Sequence, residues 1–324
     1  MTGRAQKTIH KNYHGLGTNI SLTLFGTEDP DLLEESYALL CDYEKILTVN
    51  RTYSELMSVN NLAGVKPVVV SDATYHLAKR AIEVSQENFG FNALIGPLVK
   101  LWKIGFDGAN VPTKEEIHAK LSMIDPNEVV CDDDNFSIFL KKPGMQLDLG
   151  AIAKGYIADR IADLWRAKGV SSGMINLGGN LLLVGKAPHH PDKKWRIGIQ
   201  DPFSKRGTSI LLVRYGACSA VTSGIYERLL KTQGKTYHHI LDPSTGYPHD
   251  NNLASVTVLT KESIQAEIET TRLFFADGPL KNWPIDPNIY GAILVTKDKK
   301  ITICGLDPSD VVLLDDSFEL YFNN

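Results

Sequence analysis

From about residue 129 onward the chain reads as a succession of strands, and that run limits the fold more than any other feature. Segments 136–140, 146–149, 173–184, 195–200, 209–215, 253–259, 289–296 and 301–304 are apolar or alternating, and most are joined by turns containing Gly, Pro or Asp. Only two helical stretches interrupt them. One follows the LDLG segment and spans about Ala151 to Lys168, with Gly169 in the C′ role. The other covers about 261–275 and stops before Asp277-Gly278-Pro279. Strands in runs, rather than in strict alternation with helices, favour an α+β layered fold of mixed or antiparallel sheets over a doubly wound parallel sheet.

The first part of the chain supplies a strand at 20–25 and then more helix. Leu33, Tyr37, Leu40, Tyr43 and Leu47 recur on one helical face. Ser71 or Asp72 can cap a second helix running to about residue 89, and Thr113 with Glu116 has the spacing of a capping box. The 324 residues show no internal repeat, low-complexity tract or linker. One domain over residues 1–324, built in two lobes, is the expected organisation.

Charge and apolar patterning narrow the function classes. A formal charge of −4 without a Lys/Arg cluster argues against nucleic acid and against polybasic membrane binding. The N-terminal stretch has basic residues but no apolar core after them, and the longest apolar runs, such as LLLV at 181–184, are too short to span a bilayer. A soluble cytoplasmic chain without membrane insertion is expected. Cys41, Cys131, Cys218 and Cys304 are widely spaced with no CxxC pair, which predicts reduced thiols rather than disulfides or a zinc site.

Four segments could carry chemistry. In QLDLGAIAKGYIADRIADLW (146–165) a strand-like stretch runs through Gly150 into a helix, whose unpaired N–H groups, with Lys154, offer an anion site. The alternative is an ordinary helix start with Lys154 in solvent. In NLGGNLLLVGKAP two glycines fall inside a strand pattern, implying close approach to the backbone or a β-bulge. Glu267 and Thr271 share one helix face and could give two oxygen ligands to a hard cation, or simply face water. In YHHILDPSTGYP (237–248) a histidine pair precedes a turn, as a structural strand end or as a site for proton transfer. There is no GxGxxG after a strand, GxxxxGK[ST], HExxH or GxSxG.

Taken in order, SELMSVNN (54–61), GFNALIGPLVKLWKIG (90–105), LDLGAIAKGYIADRIA (147–162), NLGGNLLLVG (176–185), TSGIYER (222–228), YHHILDPSTGYP and AEIETTRLF (266–274) resemble the ApbE-type flavin transferases over nearly the whole chain. The resemblance implies an enzyme that binds FAD with Mg²⁺ and splits its pyrophosphate. It would join the FMN half through a phosphoester to a Thr or Ser hydroxyl of a target flavoprotein, releasing AMP. A single α+β domain with the flavin in a cleft between two lobes is implied as well.

By motif position the resemblance places Asp148 and Lys154 at FAD, and Leu16, Asn50, Asn92 and Ile240 in the flavin-binding set. It places Ala151, through its carbonyl, with Glu267 and Thr271 at Mg²⁺, and makes His239 the base or positioner of the acceptor hydroxyl, on a loop fixed by Asp242 and the Pro243–Gly246 turn. A histidine at its ordinary pKa of ~6.5 suits that work. The chain departs from the family where Glu267 stands in place of Asp, one methylene longer, and where Arg272 replaces a small apolar residue. A cytoplasmic reductase is the expected acceptor. The same parts would also serve an Mg²⁺-dependent FAD pyrophosphatase or a non-catalytic FAD-binding or delivery protein.

Overall fold

A two-residue turn starts the architecture in the computed structural model, which describes residues 7–323 apart from 28, 233, 282 and 285. Residues 1–6, the beginning of the N-terminal stretch considered above, lie outside the described residues. Thr8–Gly15 and Thr18–Phe25 pair antiparallel with Gly15 opposite Thr18, leaving Leu16 and Gly17 as the turn. Both adopt left-handed backbone, φ 53° and 69°, as the right-handed twist of a tight hairpin requires.

Seven more strands extend this hairpin into a nine-stranded sheet whose spatial order is the chain order. They are Ser172–Leu177, Asn180–Gly185, Cys218–Gly224, Leu253–Thr260, Ile289–Thr296, Lys300–Cys304 and Glu319–Asn323. Every neighbouring pair is antiparallel except the last, which is parallel. The expected strand 173–184 is thus two strands. Gly178 and Gly179 form their turn, at φ 67° and 99° with Leu177 opposite Asn180, so left-handed backbone rather than a bulge is what calls for glycine.

The helices are α1 (Asp31–Leu47), α2 (Glu55–Asn61), α3 (Asp72–Gln86), α4 (Gly96–Trp102), α5 (Lys114–Leu121), α6 (Ala153–Ala167) and α7 (Ser263–Phe275). Period-two alternation in the strands feeds two layers. Ile20, Leu22, Leu24 and Leu177 pack with α1 and α6, and Val256, Val258 and Leu294 pack with Leu273 and Phe274 of α7. The opposite face, with Ile293, Val295 and Ile301, packs on a three-stranded sheet of Trp195–Gln200, Ser209–Tyr215 and Val311–Leu313. Among the described residues no helix is long and apolar enough to cross a membrane.

A second lobe is inserted between the second and third strands of the large sheet. Its core joins α2 to α5, a small sheet of Val68–Val69, Val129–Asp132 and Ser137–Leu140, and the segment before α6. Segment 146–149, expected as a strand, pairs with no strand. Met145, Leu147 and Leu149 are buried alternately as a strand would bury them, but the side chain of Asn60 replaces the neighbouring strand: Leu147 N donates to Asn60 Oδ1 (2.7 Å) and Asn60 Nδ2 donates to Leu147 O (2.9 Å). The following helix begins at Ala153, two residues later than expected, with Ala151 and Ile152 in a turn. Ser71 caps α3, which ends at Gln86, and the Thr113–Glu116 capping box is formed.

Candidate active site

Helices α6 and α7 cross so closely that one glycine sets their distance. A Cβ on Gly155 would lie 2.7 Å from Ser263 O and 2.8 Å from Ile264 Cα, both backbone atoms. The crossing lets each helix supply a carboxylate to the other's first turn, where N–H groups lack intrahelical partners. Asp159 of α6 accepts Ser263 N at 2.7 Å and Ile264 N at 3.0 Å. Glu267 of α7 faces the Gly155 N–H and also accepts Asn180 Nδ2 at 2.8 Å.

Burial pushes the Asp159 carboxyl from the ordinary 3.8 up to about 6, against the pull of those two N–H groups. The folded chain therefore holds this proton more tightly than the unfolded chain. The stability it contributes is full below about pH 4 and is lost as pH rises through about 6, a span of about 3 kcal/mol. Chemical denaturation across pH 4 to 7 should record that decline, and Asp159→Asn should flatten it. A variant with the wild-type slope would assign the decline to other groups.

Between the two lobes lies a cavity of ≈ 1390 Å³. Pockets for drug-sized ligands run to about 1,000 Å³, so this one has room for a dinucleotide. All ten residues singled out in the sequence line it: Leu16, Asn50, Asn92, Asp148, Ala151, Lys154, His239, Ile240, Glu267 and Thr271. Lys100, Lys103 and Arg228 line it too, and among the described residues none of these three, nor Lys154, forms an ion pair. Cationic side chains not drawn into close ion pairs, on the wall of a cavity in an acidic protein, suit an anionic ligand. Lys100, Lys103 and Arg228 lie in segments that carry the family resemblance, but nothing local in the sequence marks them as cavity residues.

Of the two carboxylates at the site, Glu267 is buried and Asp148 half-buried. Burial raises Glu267 above the usual carboxylate range, opposed by Lys154, Asn180 and the Gly155 N–H. Burial likewise raises Asp148, opposed by the Gly150 N–H, which it accepts at 2.8 Å, and by the charges of Lys100 and Arg228. Thr271 Oγ1 donates to Glu267 O at 3.2 Å, which leaves its lone pairs free. Ala151 is exposed on the turn before α6. Among the described residues no three His, Cys, Asp or Glu side chains form a metal cluster; one carboxylate with a hydroxyl and a carbonyl is a donor set of another kind.

His239 follows the strand Lys235–His238. Burial, reinforced by Arg228, His238 and Lys154, lowers its pKa to about 4 rather than leaving it near ~6.5, so the ring is neutral at neutral pH. Its Nδ1 is buried without a partner. The loop around it is firmly tied: Asp242 Oδ1 accepts Ser244 N (2.8 Å) and Oγ (2.6 Å), its Oδ2 meets His249 Nδ1 at 2.9 Å, and Trp102 Nε1 donates to Gly246 O at 2.8 Å. His238 serves that loop, not the cavity, with Nε2 donating to His249 O and Nδ1 accepting Ile240 N.

Two of the flavin-set residues have structural duties as well. Asn92 Nδ2 donates to Ile124 O and its Oδ1 accepts Leu94 N, so the amide is engaged within the second lobe. Leu16 keeps left-handed backbone, a conformation costing a non-glycine residue about 1–2 kcal/mol, and Glu44 Oε1 accepts its N–H at 3.0 Å.

Solved structures have the same architecture. The ApbE protein of Thermotoga maritima aligns with a TM-score of 0.81 at 26% identity, covering 91% of this chain and 96% of that one. The flavin transferase ApbE from Vibrio cholerae aligns at 0.77 and 27%, covering 90% and 94%. The layered fold is therefore that of the ApbE proteins. The chain belongs to the ApbE family, whose model matches residues 16–282. It is 45% identical over 260 residues to the FAD:protein FMN transferase of Klebsiella pneumoniae (strain 342), covering 80% of this chain and 79% of that protein. To the enzyme of the same name from Treponema pallidum (strain Nichols) it is 38% identical over 254 residues, covering 75% and 70%.

Proposed function

We propose that this chain is an FAD:protein FMN transferase that joins the FMN half of FAD to a Thr or Ser hydroxyl of a flavoprotein and releases AMP, with residues 1–324 acting as one domain. The observation that carries the reading is the convergence of unpaired cations, the start of α6, Glu267 and Thr271 on one dinucleotide-sized cavity. The acceptor oxygen attacks the phosphorus of the FMN half, the bond from that phosphorus to the bridging oxygen breaks, and AMP leaves with the bridging oxygen. The hydroxyl proton passes to neutral His239. Lys154, Lys100 and Arg228 offset the diphosphate charge, since the first-turn N–H groups of Ala153, Gly155 and Tyr156 already meet Leu149 O, Glu267 and Ile152 O; transfer of this kind needs alignment and charge neutralisation more than covalent help.

The oxygen-only set of Glu267, Thr271 and the Ala151 carbonyl fits a hard cation, and these three would hold Mg²⁺. Bound there, Mg²⁺ would neutralise phosphate charge and favour the leaving group. Asp148, Leu16, Asn50, Asn92 and Ile240 would contact the flavin nucleotide. The setting is cytoplasmic, with a cytoplasmic reductase as acceptor.

Incubation with FAD, Mg²⁺ and such an acceptor should give a flavin-fluorescent protein band and stoichiometric AMP. FMN and AMP formed without labelling would mean hydrolysis, and bound FAD without AMP would mean a delivery protein. In the same assay Thr271→Val should raise the Mg²⁺ requirement about tenfold or more; an unchanged requirement would remove Thr271 from the site.

A further inference from the structure

A buried amide stands behind Glu267. Asn180, the first residue after the Gly178-Gly179 turn, is 1% exposed, and it donates Nδ2 to Glu267 Oε1 at 2.8 Å. Its Oδ1 accepts the hydroxyl of Ser263, itself fully buried, at 2.8 Å. A carboxylate only accepts, so the amide nitrogen must face Glu267, and the serine hydroxyl then satisfies the oxygen. The amide has a single orientation that leaves nothing unpaired.

We propose that Asn180 is a positioning residue that fixes the direction of the Glu267 carboxylate toward the cavity, and so lets the longer Glu do the work of the family's Asp. The inference rests on the reading of Glu267 as a cation donor. A glutamate has one rotatable bond more than an aspartate, and without a strut its carboxylate would sample several directions. Asn180 from the sheet and the Gly155 N–H from α6 hold the group from two sides, leaving the remaining lone pairs for a ligand in the cavity that Glu267 lines. Partners of this kind set metal affinity without touching the metal.

The test is a calorimetric titration with Mg²⁺ alone, paired with the Mg²⁺ dependence of FMN transfer at saturating FAD. Asn180→Leu keeps the branched shape and removes the hydrogen bond, and it should raise the half-saturating Mg²⁺ about 10–100-fold while FAD binding in EDTA is unchanged. Ser263→Ala, which frees the amide to turn, should shift it in the same direction by less and serves if the leucine variant does not fold. A purely structural Asn180 would lower the melting temperature and leave the Mg²⁺ midpoint where it was, which overturns the proposal. If Glu267→Gln abolishes the Mg²⁺ response and Asn180→Leu does not alter it, the metal reading stands and the positioning role falls. A wild type that takes up no Mg²⁺ in either measurement sinks both.

Discussion

Alanine at position 155 should destabilise the protein by about 2 kcal/mol and lower FMN transfer at least about tenfold. Two effects compete at this site. Inside a helix alanine is favoured over glycine by about 1 kcal/mol. Against that, the new methyl would sit 2.7 Å from Ser263 O and 2.8 Å from Ile264 N, and backbone atoms of a packed helix cannot step aside as a side-chain tip can. Overpacking of this kind costs about 1–3 kcal/mol, and the upper end applies where the neighbour is rigid. Relief by separating α6 from α7 would pull Gly155 N–H from Glu267 and Asp159 from Ser263 N, so transfer falls with stability. Urea denaturation and the fluorescent-band assay measure the two losses. A Gly155→Ala protein as stable as wild type would mean that the helices tolerate a wider crossing.

His239→Ala should reduce transfer about 10²–10⁴-fold, the usual contribution of a positioned base, with FAD binding nearly unchanged. The acidic limb that His239 gives to kcat/KM should fall near pH 4, since burial holds the free enzyme's imidazole there. Protonation abolishes the base, so activity from this group is present above about 4 and lost below it. Diphosphate charge in the cavity raises the imidazole's pKa in the complex, so the limb in kcat should lie at higher pH than the limb in kcat/KM. A variant that transfers FMN at the wild-type rate would take proton transfer away from His239. A kcat/KM limb near 6.5 that vanishes in the variant would show that the cavity is wetter around the ring than its burial implies.

Motif order picked out residues that share one candidate site, and alternation made the sheet legible. All ten selected residues line one cavity although they are spread from Leu16 to Thr271. Three kinds of feature were hidden. Segment 146–149 imitates a strand because Leu147 and Leu149 are buried alternately, while its backbone meets the distant Asn60 amide and the Ala93 carbonyl instead of a neighbouring strand. The Gly178-Gly179 pair looks like an interrupted strand until the register puts Leu177 opposite Asn180. The reciprocal carboxylates of α6 and α7 depend on a crossing that neither helix encodes by itself, so Asp159 and Asn180 carried no signal. Arg272, a departure from the family's small apolar residue, is tied to Glu269 and Glu87 and lies over the Phe89 ring.

The inserted lobe has a bearing on how the chain reaches this state. Leu24 pairs with Gly173 and Ile20 with Leu177, although the whole second lobe intervenes. Closing so long a stretch of unstructured chain is entropically unfavourable, and a stretch already condensed brings its ends together at less expense. Assembly of the large sheet should therefore await the maturation of its guest, and the cleft would be the last part of the molecule to take shape.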